Sequence, residues 1–305
     1  MRSPDGTPIA VFEAAVPLAA GAGVGRLGEG ADRPPVVLVH GATADHTTFR
    51  ALAPVLGRSR RLHAIDRRGR GASGDNAGYS IEREYGDVAA VANAIAAETG
   101  GQVDVLGHSY GGRTALGAAL RTDAIRRVVA YEGAPLPQGG SYRPAGLLAA
   151  VHAALARGDR DLALSTFLRG IVGMSDEDLA RYRADLVWPT RVAAAETIVR
   201  EVEAETSEPA SLEALAGVAV PVLLILGSAS RSPFGQGTDA LAARLAHAEV
   251  AVIEGAAHAA HHTHVPEFAA AVTGFLDRPS IAPGGLPQRG RQAHRESGPP
   301  ATIEP

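Results

Sequence analysis

Apolar residues along this 305-residue chain fall into two kinds of run. The short ones are nearly unbroken, rich in β-branched residues and bounded by Gly, Pro or charge. IAVFEAAV (9–16), VVLVH (36–40), RLHAI (61–65), QVDVLG (102–107), RRVVAYE (126–132), VPVLLILG (220–227) and EVAVIEG (249–255) therefore read as buried strands. Between them lie stretches with apolar residues at helical spacing: FRALAPVL, YSIEREYGDVAAVANAIAAETG, GGRTALGAALR, TDALAARLAHA and VPEFAAAVTGFL. In the second, Ser80 is placed to cap the N-terminus and Gly100 lies just past the end. Strands without polar alternation belong in a sheet covered on both faces, and their alternation with helices predicts an α/β fold, a mostly parallel sheet flanked by helices.

From about residue 137 to 209 the alternation stops. AGLLAAVHAALARG, DLALSTFLRGIV, DEDLARYRADLVW and RVAAAETIVREVEAE are amphipathic, and no strand run separates them. The interval reads as a helical insertion between two strands. Ligands of open α/β sheets bind at the carboxyl ends of strands, so an insertion leaving from such an end would cap the site. The expected organisation is a core of residues 1–136 and 210–277, a helical cap of 137–209, and a tail of 278–305 whose Pro, Gly and charged residues predict disorder.

Composition narrows the classes. Hydrophobic residues at 46% and charged ones at 20% suffice for one large core. A net charge of -4 without Lys/Arg blocks disfavours nucleic acid as a partner. Cysteine is absent, which removes disulfides, thiolate metal sites and a cysteine nucleophile. The opening residues lack the apolar stretch of a secretion signal, and no run approaches the ~20 apolar residues of a membrane span. A soluble, cytoplasmic protein with no membrane partner is expected.

Against this background VDVLGHSYGGRTAL (103–116) stands out, because its apolar strand stops at a lone serine between glycines. Gly107-His108-Ser109-Tyr110-Gly111 fits G-x-S-x-G between a predicted strand and a predicted helix, the setting that exposes a serine hydroxyl on a sharp turn. Serine is a poor nucleophile at neutral pH, so it needs a base, and the base needs an orienting acid.

Four motifs in order along the chain resemble the α/β-hydrolase superfamily in its capped, single-domain form, related to serine esterases and cofactor-free haloperoxidases. They are HGA (40–42), DRRGRGASG (66–74), GHSYGG (107–112) and GAAHAAHHTHVPEF (255–268), each following a predicted strand. The resemblance covers about residues 9–277 and is far more specific for fold than for substrate. It implies an α/β-hydrolase fold with a helical cap inserted after the sixth strand, Ser109 as nucleophile and His258 as its base. It places the oxyanion donors at the backbone N–H groups of Tyr110 and Ala42. Thr43 either adds a hydroxyl there or satisfies its own loop, His40 shapes that loop, and His108 is a pocket candidate.

His261, His262 and His264 crowd the loop of His258. Several imidazoles can bind zinc, but the run contains no carboxylate and a metal there would take the base from the serine. A solvated loop with no metal site is expected. In most relatives the triad acid follows the penultimate strand, yet here VPVLLILG runs into SASRSPFGQGTD, with no carboxylate before Asp239. The superfamily also admits an acid after the preceding strand, where Glu132 stands in RRVVAYEGAP. Glu132 is the expected acid and Asp239 the fallback. The arginines of DRRGRGASG read as a turn over the site with Asp66 paired to one of them, and Trp188 as a pocket residue or the core of the cap.

The expected activity is that of a serine hydrolase cleaving an ester-type bond in a small hydrophobic molecule, with a Ser109-His258-Glu132 triad, an acyl-enzyme and no metal or organic cofactor. C–C, thioester or lactone hydrolysis and perhydrolase chemistry keep the same triad. A non-hydrolytic or ligand-binding role is favoured by the missing acid after VPVLLILG. The only partner implied is a small-molecule substrate, and the oligomeric state stays open.

Overall fold

In the computed structural model of this chain, residues 1–13 and 33–279 are described. All seven runs yield strands: β1 (Val11–Glu13), β2 (Val36–Val39), β3 (Leu62–Ile65), β4 (Val103–His108), β5 (Ile125–Tyr131), β6 (Val222–Gly227) and β7 (Ala248–Ile253). The end of the first run, 14–16, and residues 280–305 of the expected tail lie outside the described residues. The strands form one sheet in the order β1-β3-β2-β4-β5-β6-β7, parallel except where β1 pairs antiparallel with β3. β3 and β4 flank β2 on opposite sides, and the crevice at such a switch point is where parallel sheets hold ligands.

After β2 comes a short α1 (Ala53–Leu56), and α2 (Ile81–Thr99) and α3 (Tyr110–Ala119) follow β3 and β4. Ser80 caps α2 by accepting the Arg83 N–H, and Gly100 closes it at φ 73°. The expected single helix FRALAPVL is instead a 3₁₀ turn, His46–Phe49, followed by α1. Pro54 in the first turn of α1 lacks the N–H that a continuous helix would need. Tyr85, Val91, Ile95 and Leu116 pack on one face of the sheet. Phe49, Leu52, Phe268 and Val272 cover the other. Burial on both faces holds for the central strands but not for β7, an edge strand whose Val250 and Val252 are 44% and 54% exposed.

Between β5 and β6 the described residues contain helices and no strand: α4 (Leu147–Ala156), α5 (Arg160–Phe167), α6 (Asp176–Arg183), α7 (Trp188–Ala193), α8 (Ile198–Ala204) and α9 (Leu212–Leu215). The insertion thus opens between the two runs expected to flank it. Five strands precede it among the described residues. It has its own core of Val151, Leu164, Leu179 and Ile198, which Trp188 joins while its Nε1–H donates to Asp161 at 2.8 Å. The chain closes with α10 (Ser232–Ala242) before β7, then α11 (Ala260–Thr263) and α12 (Val265–Leu276). No helix among the described residues is long and apolar enough to cross a membrane.

A buried ionic network joins the insertion to the sheet. Arg67 donates to Glu84 of α2 at 2.6 and 2.7 Å and to Glu201 of α8 at 2.6 Å. Arg70 also pairs with Glu201, and Arg68 donates to Asp87 at 2.7 Å. The expected Asp66–arginine pair is therefore not formed. With the arginines drawn to these four-way contacts, Asp66 accepts instead from the backbone N–H and Nδ1 of His46 and from the Ala72 N–H, each at 2.8 Å. Buried charges persist only when paired, so Glu84→Gln is expected to lower stability by about 3 kcal/mol in urea titrations at pH 7. Burial would raise the Glu84 carboxyl, but Arg67 and Arg70 outweigh it and hold its pKa below the ordinary value. A depressed folded-state pKa contributes stability above the unfolded value and loses it as pH falls. The difference between wild type and Glu84→Gln should therefore shrink below about pH 4.

Candidate active site

β4 passes into α3 at Ser109, which has φ 55° and ψ −123°. The flanking glycines are required by crowding. A Cβ on Gly107 would lie 2.2 Å from the Gly111 carbonyl oxygen, and one on Gly111 would lie 2.3 Å from the carbonyl oxygens of both Val39 and His40. Gly111→Ala is expected to destabilise the fold by about 3 kcal/mol, read as a fall in the urea midpoint, because backbone rather than side chain must move. Among the described residues only Thr43, Ser109 and Glu132 combine a side chain with a positive φ. They follow β2, β4 and β5 at one edge of the sheet, and strained backbone of this kind collects at functional sites.

Glu132 is buried, and three donors converge on its carboxylate. The Gly227 N–H and the Ser230 hydroxyl reach Oε1 at 2.8 and 2.6 Å, and Nδ1 of His258 bonds to Oε2. The loop after β6, which lacks an acid of its own, thus supplies donors to the acid at the end of β5. Ser230 was not singled out by sequence reasoning, since a serine in SASRSP belongs to no motif. Phe234 stacks on the His258 ring at 4.5 Å. The Tyr131 hydroxyl donates to the Ala257 carbonyl and accepts the Ala260 N–H, gripping the loop on both sides of His258. With Nδ1–H given to Glu132, Nε2 is the ring nitrogen left to face the cavity's other groups. Asp239 is exposed on α10 and has no hydrogen bond or ion pair to His258.

Ser109 and His258 line one cavity of about 540 Å³. The Ser109 hydroxyl makes no hydrogen bond to a described side chain or backbone group, so the structure brings acid and histidine together and leaves the serine beside them. The backbone of Gly41 runs close to Ser109, its Cβ position lying 3.1 Å from the Ser109 Cβ. Ala42 borders the cavity, and Tyr110, as the first residue of α3, has an N–H without an intrahelical acceptor. Thr43 is buried, and its hydroxyl donates to the Ala42 carbonyl at 2.7 Å, which removes it from the pocket. Trp188 is likewise core rather than lining. His40 shapes its loop as expected: Nδ1 bonds to the Gly41 carbonyl at 2.8 Å, and Nε2 accepts the Arg67 N–H at 2.9 Å.

His108 lines the cavity with its Nε2–H donated to the His258 carbonyl at 2.9 Å. His261 overturns the solvated-loop expectation. It is 2% exposed, packed 4.4 Å from the His108 ring, and neither of its nitrogens has a hydrogen-bond partner among the described residues. α11 turns this residue inward, a consequence of helical phase that the histidine run did not reveal. Burial first, and neighbouring histidines second, push His108 and His261 well below the ordinary imidazole pKa. His262 is pushed down to about 4 by burial and by Arg50 and Arg191. All three are neutral at pH 7. Among the described residues no group of three or more His, Asp or Glu side chains is arranged to hold a metal ion.

Comparison with known proteins finds relatives over most of the chain. The sequence pattern described as the alpha/beta hydrolase family matches residues 36–271. The chain is 30% identical over 264 residues to the pimeloyl-(acyl-carrier protein) methyl ester esterase of Neisseria meningitidis serogroup A, covering 80% of this chain and 78% of that protein. The crystal structure of an alpha/beta hydrolase from Sphaerobacter thermophilus superposes with a TM-score of 0.68 at 28% identity, covering 88% of this chain and 99% of the other. An enol-lactonase from Burkholderia xenovorans shares the fold, with a TM-score of 0.66 at 22% identity over 90% of this chain and 98% of its own.

Proposed function

Because the chain belongs to the alpha/beta hydrolase family, we propose that it is a serine hydrolase cleaving an ester-type bond in a small hydrophobic molecule through an acyl-enzyme. The observation that carries this is the His258 Nδ1–Glu132 bond on the wall of the cavity that Ser109 lines. Ser109 Oγ attacks the acyl carbonyl as Nε2 of His258 takes its proton, and Glu132 stabilises the imidazolium through Nδ1–H. The N–H groups of Ala42 and Tyr110 meet the developing oxyanion. The imidazolium protonates the departing alcohol, and a water activated by the same nitrogen then releases the acid. Glu132 answers the missing acid after β6, the feature that favoured a non-hydrolytic role. Esterase relatives at about 30% identity support an ester over a C–C bond. Residues 137–209 serve as the cap: Phe167, Ile171 and Met174 give the cavity an apolar roof suited to a hydrophobic substrate. A net charge of -4 and the lack of Lys/Arg blocks support a small molecule rather than nucleic acid as partner.

The test is intact-mass analysis after treatment with a fluorophosphonate probe, followed by a panel of esters, thioesters, lactones and diketones. One adduct, lost in Ser109→Ala, with esters turned over fastest, is expected. No adduct on folded wild type would overturn the serine-hydrolase assignment, and faster cleavage of another class would overturn the ester.

A further inference from the structure

The cavity holds one cation without an ion pair among the described residues. Five charged side chains line it: Arg50, Asp178, Arg181, Asp185 and Arg191. Arg50 pairs with Asp185 at 2.7 Å, and Arg181 pairs with Asp178 and, at 2.9 Å, with Glu177. Arg191, on α7, has no carboxylate within 4.0 Å among the described residues. Its guanidinium donates to the Thr48 hydroxyl at 3.2 Å, reaches the Ala42 carbonyl only at 3.5 Å, and lies 5.5 Å from the Tyr182 ring. Asp45, on the same loop as Thr48, is a buried carboxylate that accepts from the Thr47 N–H at 2.9 Å and makes no ion pair with Arg191 within 4.0 Å. His108, His261 and His262 line the same cavity and are neutral, so they add no second positive charge beside Arg191. One half-buried cation is therefore left over, and a cation in such a place is stabilised by an anion that enters with the ligand.

We infer that Arg191 binds a carboxylate of the substrate, so that the ester cleaved belongs to a short molecule carrying a free acid group near the scissile bond. This rests on the serine-hydrolase reading for the bond that is cut, but not for the anion site itself. Nearness to the reaction follows from the chain: Arg191 touches Ala42, and adjacent Gly41 abuts Ser109. The anion and the attacked carbonyl are thus separated by a few atoms. The fork fits two oxygens of either a carboxylate or a phosphate, and the single unpaired cation matches the one negative charge of a carboxylate rather than the greater charge of a phosphate. Phe167, Ile171 and Met174 are left to cover the carbon chain between the two ends.

Binding is measured by calorimetry on the Ser109→Ala protein, which cannot turn substrate over, with monomethyl glutarate, methyl valerate and inorganic phosphate. Monomethyl glutarate should bind at least tenfold more tightly than methyl valerate, and adding Arg191→Gln should abolish that preference, a 10- to 100-fold loss. Arg191→Lys should retain part of it. Equal affinity for the two esters, a preference untouched by Arg191→Gln, or phosphate binding as tightly as monomethyl glutarate would each overturn the carboxylate site. Should Arg191→Gln fail to fold, competition on wild type decides: glutarate inhibits methyl valerate hydrolysis and uncharged glutaramide does not, and equal inhibition overturns the site. Loss of the fluorophosphonate adduct with the glutarate preference intact would instead sink the hydrolase reading alone.

Discussion

Ser109→Ala lowers kcat by roughly 10⁴- to 10⁶-fold at unchanged fold, the loss expected when the nucleophile of a coupled triad is removed. The same position makes a second, opposite demand. At φ 55° and ψ −123° the residue occupies backbone space that only glycine enters without strain. Ser109→Gly should therefore be as inactive as Ser109→Ala yet more stable than wild type by about 1 kcal/mol, raising Tm by about 2–4 °C. Steady-state kinetics and thermal melts of the two variants check this together. Activity of Ser109→Ala within tenfold of wild type would remove the serine from the chemistry, and a Ser109→Gly protein less stable than wild type would show that the strain is absent.

Glu132→Gln lowers kcat by roughly 10²- to 10⁴-fold, whereas Asp239→Asn leaves it within twofold. Glu132 offers two acceptor oxygens to three donors, the Gly227 N–H, the Ser230 hydroxyl and Nδ1 of His258. Glutamine keeps one oxygen and turns an NH₂ toward whichever donor it does not serve. If the amide oxygen stays with Gly227 and Ser230, the NH₂ faces Nδ1 and favours the tautomer with the proton on Nε2, which cannot accept from serine. Single-turnover rates with a chromogenic ester separate this chemical effect from binding. Near-wild-type turnover of Glu132→Gln would reject Glu132 as the orienting acid.

Much of the molecule was legible in the chain. The strand runs and their order, the capped α2 and the turn at Ser109 all follow from local properties: apolar continuity, an N-cap serine, and glycines where backbone must approach backbone. FRALAPVL misled because its apolar spacing is helical while Pro54 breaks the hydrogen-bond ladder, a conflict that local geometry resolves in favour of the proline. β7 reads like its neighbours although half of it faces solvent, because apolarity does not distinguish an edge from a centre.

The candidate site divides along the same line. By itself the sequence determined that the chain is an α/β protein with a helical insertion, and that Ser109 and His258 follow strands at positions the family uses for nucleophile and base. Those are properties of short segments. Only the tertiary structure decided that Glu132, rather than Asp239, meets His258; that Ser230 completes its hydrogen bonds; that Asp66 turns to His46 while the arginines beside it reach Glu84, Asp87 and Glu201; that His261 is buried; and that, among the described residues, Arg191 is the cavity's one cation without a carboxylate partner. Each of these depends on the distance between residues that lie far apart in the chain. Such distances are set by sheet register and by the docking of the insertion, which come from the summed packing of many side chains and leave no mark on the residue types themselves.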